Sequence, residues 1–335
     1  KSHFNSISKI IDANFSHVTI FQLGIEPGAE MFSPSDKKKF GLKGRYRVMA
    51  ECIGKYELFN EKFTVGELEE ICYETDSMTF DDYLSCRKIN LIISTFYNTF
   101  SIYWNSETSR PFFDGVLKFL RSQKIAISRW MQLLHEEEEG ELKEAFDAFE
   151  KASRDELWEN KEEIKNFIHD STVFEKYHNG SLGYNLQNSF RILLLTRYIK
   201  PLKDFTHKTL LKLLKENGKD SLENIAFVND LLEYETSKIK NISKNLDETP
   251  EIILEYDILK FKDDEKVASV KDYKLSKPVT VKFVLDEMQK NTIKKTIETE
   301  VADKLKGIGN IIKVSSGSNE KSNDLLRTPQ LQSYN

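Results

Sequence analysis

Cysteine is scarce in this sequence, long apolar runs are missing, and neither sign of charge dominates. The three cysteines, Cys52, Cys72 and Cys86, lie 20 and 14 positions apart, which matches no compact zinc or iron–sulfur spacing. An odd, sparse count of this kind is expected of a reducing, cytoplasmic compartment. Cys72 and Cys86 read as small buried hydrophobes rather than ligands. No apolar run approaches the ~18 residues of a membrane span, and the opening KSHFNSISKIIDAN lacks the apolar core of a signal peptide. With 49 basic against 54 acidic side chains the net charge is -5, so no basic face for nucleic acid is expected. Several catalytic motifs are missing as well. There is no GxxxxGK[ST] loop, no GxGxxG after a strand, no GxSxG elbow, no HExxH and no CxxC.

What is present begins with an amphipathic helix over 3–14, with Phe4, Ile7, Ile10 and Ile11 at helical spacing. HVTIFQL (17–23) then reads as a short buried strand ending at Gly24. A helix running straight into a buried strand suggests an α/β layer, and one strand cannot form a parallel sheet. Partners are therefore expected upstream of Lys1. The loop GIEPGAEM (24–31) would lie at the carboxyl end of that strand, where α/β folds hold ligands. Its glycines fit either close backbone approach or a plain turn. Ser33 and Pro34 open a short helix. Residues 44–57 look extended, placing Arg45 and Arg47 on one strand face. Such a pair either clamps an anionic group or forms a solvated edge.

LEEICYET (68–75) reads as a strand, followed by a helix over 79–104 with Thr79 and Asp82 as a variant capping box. Phe80, Tyr83, Leu84, Ile89, Ile92, Ile93, Phe96, Phe100 and Tyr103 make it apolar on most sides, so it is expected to be central, its aromatics core rather than a cofactor box. Residues 110–243 are helical in pattern, punctuated by Gly140, Gly180, Gly183, Pro201 and Gly218. The acidic run HEEEEGE (135–141) and the neighbouring His135 read as a solvated helix face, and His178 as a loop histidine with no partner in view. EIILEYDILKF (251–261) and PVTVKFVL (278–285) read as a small antiparallel pair. Residues 286–307 form an amphipathic helix, and 314–335 a polar, disordered tail.

Three blocks carry a resemblance: HVTIFQLGIEPGAEMF, KKFGLKGRYRVMAECIGKYE and EEICYETDSMTFDDYLSCRKINLIISTFYN. In order and spacing they resemble the segment closing the catalytic barrel of radical S-adenosylmethionine proteins, most closely the cobalamin-binding-domain subgroup. Glu26-Pro27-Gly28-Ala29-Glu30 matches that group's Pro-Gly-x-Glu loop. Tyr46-Arg47-Val48 and Gly54-Lys55-Tyr56 match its second block. Glu69, Glu70, Glu74, Thr75, Met78, Phe80, Asp82, Tyr83 and Arg87 match the third.

The resemblance implies a mixed α/β and α chain: the carboxy-terminal end of a (β/α) barrel (1–60), a mostly helical domain with a small β element near 251–285 (61–308), and a tail (309–335). It implies an intact protein that cleaves S-adenosylmethionine reductively on a 4Fe-4S cluster, with methyl transfer, ring rearrangement or another radical step all open, and cobalamin as a further cofactor of the subgroup. The CxxxCxxC that holds the cluster, and the cobalamin-binding domain, would lie upstream. By barrel position Gln22, Leu23 and Gly24, with Pro27 and Gly28, would face the cofactor's adenine, and Arg45 and Arg47 an unknown substrate. The competing reading is a non-catalytic helical module that binds a partner protein.

Overall fold

The computed structural model describes residues 2–15, 17–98, 112–178, 182–183, 185–242, 244–299 and 328–331. Helix α1 (Ser2–Asp12) buries Ile7 and Ile11, one turn apart on one face. At its end, Asp12 accepts the Ser128 backbone N–H at 3.1 Å and its hydroxyl at 2.5 Å. This ties α1 to a helix more than a hundred residues on.

The segment 17–25 is extended but is not the buried strand its composition suggests. Its backbone is tied to the fold at two places, and Ile20 between them packs against the core. Near its start, the Asn98 carboxamide accepts the Val18 N–H at 2.9 Å and donates to the Val18 carbonyl at 2.7 Å, imitating a strand neighbour. At its end, the Leu23 carbonyl accepts from Cys72 at 2.8 Å and the Ile25 N–H donates to Glu70 at 2.7 Å, an isolated antiparallel bridge centred on Gly24 and Ile71. Successive side chains in an extended chain point to opposite faces, and only one face here has protein against it. On the covered face Val18 is buried and Ile20 packs against the core, while on the other Phe21 is 86% exposed and Leu23 42%, until Ile25 is buried beside the bridge to β2.

After a 3-10 turn (Glu30–Phe32) and helix α2 (Pro34–Phe40), capped by Ser33, come two long strands, β1 (Lys43–Leu58) and β2 (Glu61–Glu74). They form an antiparallel hairpin with Phe59 and Asn60 at its tip. A bulge between Val48 and Ile53 bends it. A division at 60/61 thus falls on a hairpin whose two strands pair along their length.

Helix α3 (Phe80–Phe96) opens on the expected capping box: the Asp82 N–H donates to Thr79 Oγ1 at 3.2 Å and the Thr79 N–H to Asp82 Oδ2 at 3.0 Å. From Ile89 every residue through Asn98 is buried, so the helix runs through the core. Phe100 and Tyr103 lie outside the described residues.

The helices that follow are α4 (Asp114–Ser122), α5 (Ile127–His135), α6 (Gly140–Asp155), α7 (Lys161–His169), α8 (Ser171–His178), α9 (Leu186–Thr196), α10 (Ile199–Glu216) and α11 (Leu222–Ser237); α5, α6 and α9 pack on α3, α4, α10 and α11 extend the bundle, and α7 and α8 pack against β1. Pro201 does not break α10 because it sits in the first turn, where its missing N–H has no intrahelical partner.

Strand β3 (Glu251–Tyr256) is shorter than the alternation suggests, because Asp257 caps a short helix, α12 (Ile258–Asp263). It pairs antiparallel with β4 (Lys274–Val284), as expected. Helix α13 (Glu287–Thr299) follows. Part of the tail expected to be disordered is ordered instead: β5 (Thr328–Leu331) pairs with β4, giving the sheet order β3-β4-β5. The alternating register sets Val281 and Val284 opposite Leu331 and Thr328, enough backbone pairing to hold a polar segment. The whole is mixed α/β, mostly helical with two small sheets, and forms no closed barrel among the described residues.

Candidate functional site

The loop after α6 determines the site. Trp158 and Tyr46 exchange backbone hydrogen bonds of 2.7 and 2.8 Å, clamping that loop onto β1. This sets Glu156 and Glu159 against the face of β1 that carries Arg45 and Arg47. Arg47 donates through Nε to Glu69 at 2.6 Å, across the hairpin, and through Nη1 to Glu156 at 3.1 Å. Arg87, on α3, reaches the same Glu156 Oε1 at 2.5 Å and contacts the Tyr83 hydroxyl at 3.5 Å. Burial alone would lower the Arg47 pKa, but Glu156 and Glu69 outweigh it and the net direction is up. The Tyr83 phenol is pushed up, first by burial, so it stays protonated.

Beside this cluster lies a cavity of about 230 Å³. Arg47, Glu69, Arg87 and Glu156 form its charged wall, and Ile20, Phe21 and Gln22 of the extended segment form a second. The amino end of α9, Asn185 to Gln187, closes the third. Two atoms here are buried without a hydrogen-bond partner: Gln22 Oε1 and Arg87 Nε.

Two of the residues singled out from sequence, Gln22 and Arg47, therefore meet in one cavity. The others do not join them. Arg45 is packed between the rings of Tyr73 and Phe80, at 4.8 and 5.0 Å, and ion-pairs with Glu159. It is neither an open anion clamp nor a solvated edge. Leu23 spends its carbonyl on β2 and its side chain on the surface. Gly24 sits at a non-hydrogen-bonded bridge position, so its own N–H and C=O point away from β2. Pro27 and Gly28 form an exposed turn closed by Ala29 N–H to Glu26 C=O at 3.2 Å. Gly28 has φ 86° there, the value a type II turn requires at its third residue.

Sequence reasoning did not select Glu69, Arg87, Glu156, Asn185 or Gln187 as site residues. Glu69 and Arg87 stood among the resemblance-bearing positions. Nothing marked Glu156 among the many acidic residues, because its role follows from the backbone clamp at Trp158.

His135 Nε2 lies 3.1 Å from both the Ser85 hydroxyl and the Ser85 carbonyl oxygen, to which the ring N–H donates, and burial lowers its pKa. His178 ends α8, and its side chain lies outside those described. Cys72 is buried, while Cys52 and Cys86 are half-buried. Burial raises the Cys72 and Cys86 pKa values, which disfavours the thiolate a metal needs. Among the described residues no group of three or more His, Cys, Asp or Glu is arranged to hold a metal ion. No described helix is long and apolar enough to cross a membrane. No protein-family model matches the chain, and no curated protein matches it.

Proposed function

We propose that this chain is the carboxy-terminal part of a radical S-adenosylmethionine enzyme, in which the segment 17–25 joins the rest of a barrel and the Arg47–Arg87 cavity lies on the substrate side. The observation that carries this reading is the state of that segment. It is extended, it is bound along one edge at 23 and 25, and the Gln22 and Gly24 peptide groups point the other way beside an exposed Phe21. An edge of this kind, apolar and with open hydrogen-bonding groups, is complementary to another strand.

The residues present do not fit the family's iron–sulfur cluster. The three cysteines are dispersed, two have raised pKa values, and none belongs to a metal-competent group among the described residues. On this reading the cluster belongs to another part of the parent protein. Adenine recognition fits the end of that edge: the outward Gly24 peptide groups would offer a donor and an acceptor to a base edge, with the Gln22 groups left to the neighbouring strand. In that site S-adenosylmethionine would supply a carbon radical on reduction. The helical body, packed against the hairpin, would keep water and stray hydrogen donors from the cavity. Cobalamin, a further cofactor of the subgroup, would belong to the upstream domain.

A second reading, a non-catalytic helical module that binds a partner protein, draws on the distribution of exposed apolar side chains. Among the described residues, eleven of the fifteen large exposed hydrophobic side chains fall between Ile10 and Val65. The coding sequence upstream of Lys1 separates the two. An in-frame CxxxCxxC, with reductive cleavage of S-adenosylmethionine by the protein that carries it, is the expected result. An in-frame start at or just before Lys1 with no cysteine motif would leave the partner-binding module.

A further inference from the structure

We propose that the cavity between residues 20–22, the hairpin and the amino end of α9 binds a small zwitterion of the α-amino-acid class. The charges of its wall balance: two guanidiniums, Arg47 and Arg87, face two carboxylates, Glu69 and Glu156. A simple anion entering would meet the carboxylates, and a simple cation the guanidiniums. A molecule carrying both charges close together meets a complement for each.

The positive pole has two independent parts. Arg87 is only 4% exposed, and its Nε–H has no acceptor. The Nε–H is enclosed, and a small shift of the guanidinium toward the cavity would offer this unsatisfied donor to a carboxylate oxygen. The second part is the start of α9, an eleven-residue helix whose first-turn N–H groups have no intrahelical acceptor. Asn185 Oδ1 takes the Asn188 N–H at 3.1 Å, which leaves the N–H groups of Leu186 and Gln187 for a ligand.

The negative pole is made by Glu156 and Gln22. Both arginine bonds to Glu156 fall on Oε1, so Oε2 keeps its acceptor capacity. Gln22 Oε1 is a buried acceptor without a donor. An ammonium group, with three donors and no acceptor, suits such a pair. Ile20 and Val48 give the cavity an apolar flank for a side chain, and about 230 Å³ suits a ligand of amino-acid size rather than a nucleotide. The reading of this cavity as a substrate site rests on the proposed function. The recognition itself rests on the lining.

The test is calorimetric titration and thermal shift of the full chain with each common L-amino acid at millimolar concentration. The best binder is then compared with its methyl ester and its N-acetyl derivative, each lacking one charge. Saturable binding by at least one amino acid is expected, weakened at least ~10-fold in each derivative, because a charge-assisted hydrogen bond contributes about 1.5–3 kcal/mol. The same loss is expected in Arg87→Lys, which keeps the charge but removes the Nε geometry, and in Gln22→Leu. Gln22 lies on the half-exposed segment, so that variant reports even where Arg87→Lys fails to fold. The proposal is overturned if no amino acid saturates, if blocking either charge leaves affinity unchanged, or if folded Gln22→Leu binds like the parent chain. Absence of an upstream cluster motif would overturn the radical reading and leave amino-acid binding intact. Loss of amino-acid binding beside a working cluster would do the reverse.

Discussion

The amino-terminal quarter and the helical body are held together by different physics. In the body a continuous apolar cluster runs from Ile89 through Trp130, Phe146 and Leu214 to Phe283 and Ile293. Several of its aromatic rings meet edge-on, Trp130 at 5.6 Å from Phe96, and Phe119 stacks on Phe227. The hairpin shares only small apolar clusters with the helices, one around Ile71, Tyr83, Leu84 and Leu157, another around Val48, Ile164 and Ile168, and the segment before it reaches the main cluster through Val18 and Ile20 alone. The rest of their attachment is polar: Arg47 to Glu156, Arg45 to Glu159, Lys55 to Glu175, and the backbone clamp at Trp158. Half-exposed ion pairs contribute little each, so this region depends on geometry more than on burial. A surface built this way can seat a ligand or a further strand without disturbing the core behind it.

The comparison breaks hardest where the body contains a charge. Glu235 on α11 is 0% exposed, and its Oε1 accepts from Lys262 at 2.6 Å and from the Gly115 N–H at 3.2 Å, with Asp114 also against Lys262. Burial would lower the Lys262 pKa, but Asp114 and Glu235 outweigh it, so the ammonium stays charged. Burial pushes the Glu235 carboxyl up. Lys262→Met leaves that carboxylate without its main counter-charge, and a loss of about 3–5 kcal/mol is expected in urea unfolding. The pH dependence has a definite sign. A carboxyl with a raised folded pKa binds its proton more tightly in the folded chain, so stability falls as pH rises above the ordinary carboxylate range. The Lys262→Met deficit should therefore be smaller at about pH 5 than at about pH 8. An equal deficit at both would mean that Glu235 does not titrate with folding.

Much of the body was legible from sequence because its signals are local. The Thr79 box, the unbroken apolar run from Ile89 and the stripes of α4 to α11 each specify a helix without knowledge of its neighbours. The β3–β4 pair followed from alternation. The segment 17–23 misled because a strand rich in β-branched and aromatic residues reads as buried, while burial depends on what lies on both faces. β5 was missed because its pairing is supplied by β4, about fifty residues away, and Thr-Pro-Gln-Leu carries no strand signal of its own. At the site, Gln22 and Arg47 were found by position, and Arg87 and Glu156 were not. An ion pair between α3 and the loop after α6 is a property of packing.

The hairpin tip offers a smaller test, in the opposite direction. Phe59 and Asn60 have φ of 52° and 64°, the left-handed pair of a two-residue type I′ turn. Asparagine tolerates that conformation, but a bulky aromatic residue is strained there by about 1–2 kcal/mol. Phe59 is 91% exposed, so its ring returns almost nothing through packing. Phe59→Asn is expected to raise stability by about 1 kcal/mol, read as a higher urea midpoint at unchanged slope. No gain, or a loss, would show that the ring contributes to the fold.

The smallest effect on stability should accompany the largest effect on association. Phe21 and Leu23 share one face of the extended segment and are exposed there, while Val18, Ile20 and Gln22 on the other face turn toward the fold. Exposed apolar side chains along an open backbone edge favour edge-to-edge pairing. Phe21→Ser with Leu23→Ser removes this surface without touching the Val18–Asn98 or Leu23–Cys72 backbone bonds. Unfolding stability should then shift by no more than about 0.5 kcal/mol, as for other surface changes. Sedimentation velocity should show concentration-dependent association of the parent chain and its loss in the double variant. If the parent chain stays monomeric throughout, this face does not self-associate. If the double variant instead loses several kcal/mol of stability, the two side chains belong to the fold, and the contrast between a packed body and an open amino-terminal edge has to be redrawn.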